Sequence, residues 1–211
     1  MNRSLAIVAA IVAAGVLTWF FPLFHVVSSE SQRAERERQT FNAADFVQVF
    51  WKNKLIPAFG EAADAATVLA VLRENPDQAR TQYGRTAGLG RATLYFLRGG
   101  GTITSVDKKE IGISLNNGES AVDAALQTGL LFGNTVRDAT GLLSGDDFPN
   151  SQQFNEISTE LNRKIERSVL PALRDRAKVG DAIEFVGCAA VTNVPRDITP
   201  LRLVPLEVTF K

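Results

Sequence analysis

The chain has 211 residues, with 23 basic and 23 acidic side chains, one cysteine and one histidine. The balanced charge excludes a net field that would recruit nucleic acid, and a single cysteine excludes an internal disulfide. One histidine beside that cysteine argues against a zinc site of the usual Cys/His type, and no metal or cofactor is expected.

The first element is apolar. Leu5 to Val27 reads LAIVAAIVAAGVLTWFFPLFHVV and carries no charged side chain. About 20 such residues at 1.5 Å each span a hydrocarbon core of roughly 30 Å, and lipid forces such a run to be helical. Residues 1–28 are therefore expected to form a transmembrane signal anchor, with Trp19 and the neighbouring phenylalanines at the far interface and His25 beside them. The competing reading is a cleaved secretory signal, because Leu5 to Leu17 has the length of an h-region and Val26 and Ser28 suit a cleavage site. Apolarity continuing past Leu17 favours retention. Lipid modification is excluded there, since Cys188 is far from the run. Arg3 before it and Arg33, Arg36 and Arg38 after it leave the orientation open by charge count alone.

Residues 29–40, within SSESQRAERERQT, form a charged linker, and residues 41–211 are one domain's worth of chain. Asn42 is a helix cap with Asp45 at N3 and Phe41 positioned to staple onto Phe46; Phe46, Val49 and Phe50 make the apolar stripe, widened by Trp51. Pro57 and Gly60 end that segment. A second helix runs from Asp64 as cap, with Ala65, Val68, Leu69 and Leu72 on one face, and Asn75-Pro76 breaks it. Two short helices thus precede any strand.

From Gly84 the period becomes two. Arg91 to Arg98 and Thr102 to Val106 are read as strands joined by a hairpin at Gly99-Gly100-Gly101. Ile111, Ile113 and Leu115 mark a half-buried strand, Asn116-Asn117-Gly118 a turn, and Val122 to Leu126 its next partner. A long helix capped by Asn150, with Gln153 at N3, carries Phe154, Ile157, Leu161, Ile165, Val169 and Leu173 on one stripe to about Ala177, bent by Pro171. Its other face, with Glu156, Glu160, Arg163, Lys164, Glu166 and Arg167, is expected in solvent. Two strands close the chain: Ile183, Phe185, Ala189 and Val191 share a side, and Leu201 and Leu203 switch phase to Leu206, Val208 and Phe210 around Pro205, marking a bulge or edge. The expected class is α+β, a small antiparallel, OB-like barrel with flanking helices behind one transmembrane helix.

Candidate chemistry is sparse. Gly84 to Arg91 lacks the Gly-Lys-Ser/Thr ending of a phosphate loop and leads into a strand, so it reads as a turn. Cys188 reads as a wall residue, with no histidine near it in sequence. Asn134, Arg137 and Asp138, between glycine-containing stretches, are the candidate ligand-binding residues: arginine donates a planar fork and aspartate accepts, a pairing suited to a polyol or a partner's backbone. The same pair also suits a structural salt bridge.

The order FNAADFVQVFWKNKLIP, GRTAGLGRATLYFLRGGG, the stretch T-G-x-x-x-G-N-T-x-R-D-A from Thr128 to Ala139, FPNSQQF, LNRKIERSVLPAL and VGDAIEFVGC resembles a bacterial family of unknown function described as predicted periplasmic lipoproteins. The resemblance covers about Phe41 to Phe210 and lies in order and spacing. It implies a barrel-containing periplasmic domain, commonly encoded beside ribose-type sugar ABC transporters, and so a domain outside the inner membrane. This chain departs from that pattern by lacking the acylated cysteine, a role a retained helix would fill. The expected function is a non-catalytic, membrane-anchored periplasmic accessory of a sugar ABC uptake system, with the inner membrane and a transporter subunit, solute receptor or small polyol as partners. The alternative is an envelope hydrolase using loop carboxylates such as Asp146 and Asp147.

Overall fold

The computed structural model describes residues 41–86, 91–115 and 121–211. The expected anchor, the charged linker and the turn at 116–118 lie outside these residues. Among the described residues no helix is long and apolar enough to cross a membrane.

Helix α1 (Ala43–Phe50) starts at the expected cap, where the Asn42 side chain accepts from the Ala44 and Asp45 backbone N–H groups at 3.0 and 3.2 Å. Its buried face is Val47 and Phe50 with Trp51, while Val49, expected in the stripe, is 62% exposed. At 100° per residue Val47, Phe50 and Trp51 share one side and Val49 lies nearly opposite Val47. The helix continues as a π-turn (Trp51–Leu55) and a 3-10 turn (Pro57–Glu61). Helix α2 (Ala65–Glu74) is capped by Asp64, which accepts from Thr67 N–H at 2.8 Å, and it buries all four expected residues.

One expectation fails here and one is incomplete. Ala63–Asp64 form a short strand β1, parallel to the strand β3 described below, so a strand precedes the second helix. Asn75-Pro76 ends α2 as expected, but Pro76 also opens an unexpected third helix, α3 (Pro76–Tyr83), capped by Asn75 through Gln78 N–H. Proline at the first helical position loses only an N–H that would have no partner anyway.

The expected hairpin at 99–101 is absent. After a short strand β2 (Arg85–Thr86), β3 runs unbroken from Thr93 to Val106. None of the three glycines has positive φ; their missing side chains make room instead. A Cβ at Gly99 would stand 3.1 Å from the Phe185 ring and 3.2 Å from Ala65, and one at Gly101 would meet the Ser114 carbonyl. Strands β4 (Glu110–Ser114) and β5 (Ala124–Gln127) follow, antiparallel to each other. β4 is buried on both faces, not half-buried, because Val122 and Ser105 lie where a side chain at Gly112 would be.

The strands β6 (Ala182–Val191) and β7 (Leu201–Phe210) complete the sheet. Pairings run β3–β4–β5–β7–β6 and from β6 back to β3, a closed ring. The mixed α+β class is as expected, but the step from β5 to β7 is parallel. Between β6 and β7 the register shifts where Gly187 faces Pro205, the expected bulge. Tyr95, Leu97, Ile103, Ile111, Ile113, Leu126, Phe185 and Leu203 fill the core together with the apolar face of α2.

Outside the ring sits α4 (Thr135–Thr140), packed on β3 and β6, and over it α5 (Ser151–Ser168), which also packs on α1. Asn150 caps α5 through Gln153 N–H at 2.9 Å. Ile157, Leu161 and Ile165 are fully buried, worth about 1.5–3 kcal/mol each. The expected single bent helix is two, because α6 (Leu170–Arg176) begins afresh at Val169, where the Pro171 ring blocks the ladder. As a result Leu170, in place of Val169, continues the buried stripe.

The β6–β7 connection holds a short helix, α7 (Val194–Asp197), pinned by the Asp197 carboxylate. That carboxylate accepts from Arg196 Nε and from the Thr192 and Asn193 N–H groups, each at 2.8 Å. The Arg196 hydrogen bond, with the two amides, holds its pKa down at about 2, against partial desolvation. A depressed folded-state pKa stabilises above the ordinary carboxylate value near 3.8 and loses that contribution as pH falls through about 2. The protection of the Thr192 and Asn193 amides, relative to an unstructured chain at the same pH, is expected to fall between these two values, and in Asp197→Asn to be lower already at neutral pH.

Candidate functional site

After β5 the chain crosses α5 without regular structure, and helix side chains tie it down. Arg174 Nε donates to the Thr128 carbonyl at 2.8 Å, Glu166 Oε1 accepts from Leu131 N–H at 2.7 Å, and Asn162 Nδ2 donates to the Gly133 carbonyl at 2.9 Å. Gly133 has φ 81°, which an L side chain would strain. Leu131 is 6% exposed, whereas Leu130 and Phe132 are 75% and 79% exposed. Two large apolar side chains are thus held out in water by a clamped backbone.

Between this segment and α5 runs a groove of about 620 Å³, lined by Leu130, Phe132, Asn134, Ser158, Asn162 and Arg163 among others. The Ser158 hydroxyl is buried and has no hydrogen-bond partner among the described residues. Leaving such a group unsatisfied costs about 1–3 kcal/mol.

The three expected ligand-binding residues come together at the start of α4. Arg137 Nε and Nη2 donate to the two Asp138 oxygens at 2.6 and 3.2 Å, and Nη1 donates to the Phe154 carbonyl at 2.9 Å and to Asn155 Oδ1 at 3.2 Å. Asn134 Nδ2 donates to Asp138 Oδ2 as well. The guanidinium carbon lies over the Phe154 ring, 3.6 Å from its centre. With both side chains about 95% buried, the pair ties α4 to the start of α5 and presents little of itself to solvent. Asn134 alone of the three lines the groove; all three line a second hollow of about 480 Å³ with Arg85, Ser144 and Phe154.

Asp147 spends its carboxylate on a capping box, accepting from Ser144 N–H at 3.0 Å. Cys188 is fully buried on β6, and burial pushes its thiol pKa up, away from the reactive thiolate.

Leu130, Phe132, Ser158 and Asn162 are absent from the residues that sequence reasoning singles out. The available signals are three large apolar residues in a row between Gly129 and Gly133, outside any periodic element, and two polar residues four apart beside the Ile157–Leu161 stripe.

The family model described as predicted periplasmic lipoprotein (DUF2291) matches residues 6–209. A crystal structure of an OB-fold protein from Thermotoga maritima is similar, with a TM-score of 0.70 at 25% identity, over 81% of this chain and 99% of that one. No curated protein matches the chain.

Proposed function

The chain belongs to the DUF2291 family of predicted periplasmic lipoproteins, and from that premise we propose that it is a non-catalytic binding domain held at the periplasmic face of the inner membrane by its apolar residues 1–28. The observation that carries the reading is the clamped, exposed pair Leu130 and Phe132 on the rim of the α5 groove. Exposed apolar residues on a loose loop can fold away, but three helix side chains prevent that here, so the exposure is available for contact. A role beside a sugar uptake system is the accessory task that the family resemblance suggests.

A photo-crosslinking amino acid at position 132 in living cells tests this. Capture well above that of the same probe at position 49, an exposed site on α1, is the expected result; equal capture at the two sites would overturn a binding role for the groove. A transporter subunit among the captured species would assign the accessory role.

A further inference from the structure

The rim of the groove continues into a cationic tip. Thr128 is bonded to the β3–β4 turn, its N–H to the Lys109 carbonyl at 2.8 Å and its hydroxyl to the Lys108 carbonyl at 3.3 Å, while Arg174 donates to the Thr128 carbonyl from the other side. Lys108, Lys109 and Arg174 are exposed and have no carboxylate partner among the described residues, and they outnumber Asp107 and Asp175, the exposed acids beside them. Val106, 43% exposed, opens the same turn. Apolar side chains, a groove with hydroxyl and amide groups, and unpaired cations therefore lie within a few residues of Thr128.

We propose that this surface sits on the anionic bilayer, with the headgroup of an acidic phospholipid in the groove and Leu130 and Phe132 entering the acyl boundary. The inference rests on the membrane-held reading above and names what the groove holds. Asn162 and Arg163 stand on the lining, Arg163 also paired with Glu160, and their N–H groups are the ones a phosphate or glycerol oxygen in the groove would accept from. The cations of the tip match the negative surface potential of such a membrane, and the apolar pair adds the burial that fixes depth. Clamping by Glu166, Asn162 and Arg174 means that little ordering cost falls on binding. The tether allows it: residues 29–40, fully extended, reach about 40 Å, and they lead into α1, which packs on α5.

The test uses the full chain reconstituted in vesicles of phosphatidylcholine alone and of equimolar phosphatidylcholine and phosphatidylglycerol. An environment-sensitive dye is attached at Leu130→Cys, with Cys188 buried and unlabelled, and at Val49→Cys as reference. The dye at 130 is expected to brighten severalfold and shift to the blue only with phosphatidylglycerol, and to be quenched by brominated acyl chains, while the dye at 49 stays unchanged. Phe132→Asp should abolish the response, and Lys108→Glu with Lys109→Glu should weaken it without entering the apolar rim. A dye at 130 that stays dim in both vesicles, or responds equally in both, overturns the proposal, as does an equal response to soluble glycerol phosphate without the acidic lipid. Capture of a protein at position 132 together with a dim dye would leave the binding-domain reading standing and remove the lipid.

Discussion

Arg137→Ala is expected to destabilise the domain by about 3–5 kcal/mol, the cost of removing one partner from a buried ion pair. For a domain of this size that corresponds to a fall in Tm of roughly 10–15 °C. The variant loses both bonds to Asp138, both bonds from Nη1 to the start of α5, and the stacking on Phe154. It also leaves the Asp138 carboxylate buried with Asn134 as its remaining side-chain donor among the described residues. Asp138→Ala should cost less, because Arg137 keeps the Phe154 carbonyl and Asn155. The double variant should cost less than the two single losses added, since the second substitution removes the stranded charge. Denaturant unfolding of the three variants, with crosslinking yield at position 132 beside it, decides between scaffold and site. Unchanged melting with lost capture would assign the pair to ligand contact after all.

The second large effect is expected at Gly101→Ala, a loss of about 3 kcal/mol, the upper end of what overpacking costs. The added methyl meets the Ser114 carbonyl and stands 2.6 Å from Ile113 Cγ2, both on the neighbouring strand β4, so backbone must move. Gly60→Ala is the control, because a Cβ there would have nothing within 4 Å, and its effect should stay within about 0.5 kcal/mol. Thermal unfolding of both variants measures the difference. A Gly101→Ala protein as stable as the parent would mean that β3 and β4 can separate there at no cost.

These two sites also show which parts of the fold are legible in sequence. Local signals are reliable: Asn42, Asp64 and Asn150 cap the helices they are expected to cap, α2 buries the four residues its periodicity names, and Pro205 sits at the bulge. What fails is the purpose of residues with two uses. Gly99 to Gly101 suggest a turn by their freedom in φ, whereas the fold uses their size, in an extended strand that brings β4 and Phe185 close. Pro76 ends α2 as its sequence suggests, and the same proline also initiates α3, which the sequence reading does not announce. The parallel step from β5 to β7 has no local signature, since it depends on contacts between distant strands. At the site, an Arg-Asp pair attracts attention by its chemistry, but its burial is set by α5 and Phe154, seventeen residues downstream. Leu130 and Phe132 draw none, because hydrophobic residues outside a period carry no expectation of where they point.

Phe46 on α1 meets Phe148 edge-on at 5.5 Å, Phe148 meets Phe154 at 5.4 Å, and Phe154 carries the Arg137 guanidinium. This row of rings begins on the helix through which the chain enters the domain and ends on α4, against the ring of strands. Mechanically it acts as a strut. Displacing α1 from Asn42 would have to break the Phe46–Phe148 contact, and through Phe148 it would disturb the ring on which Arg137 rests, each aromatic pair being worth about 0.5–1.5 kcal/mol.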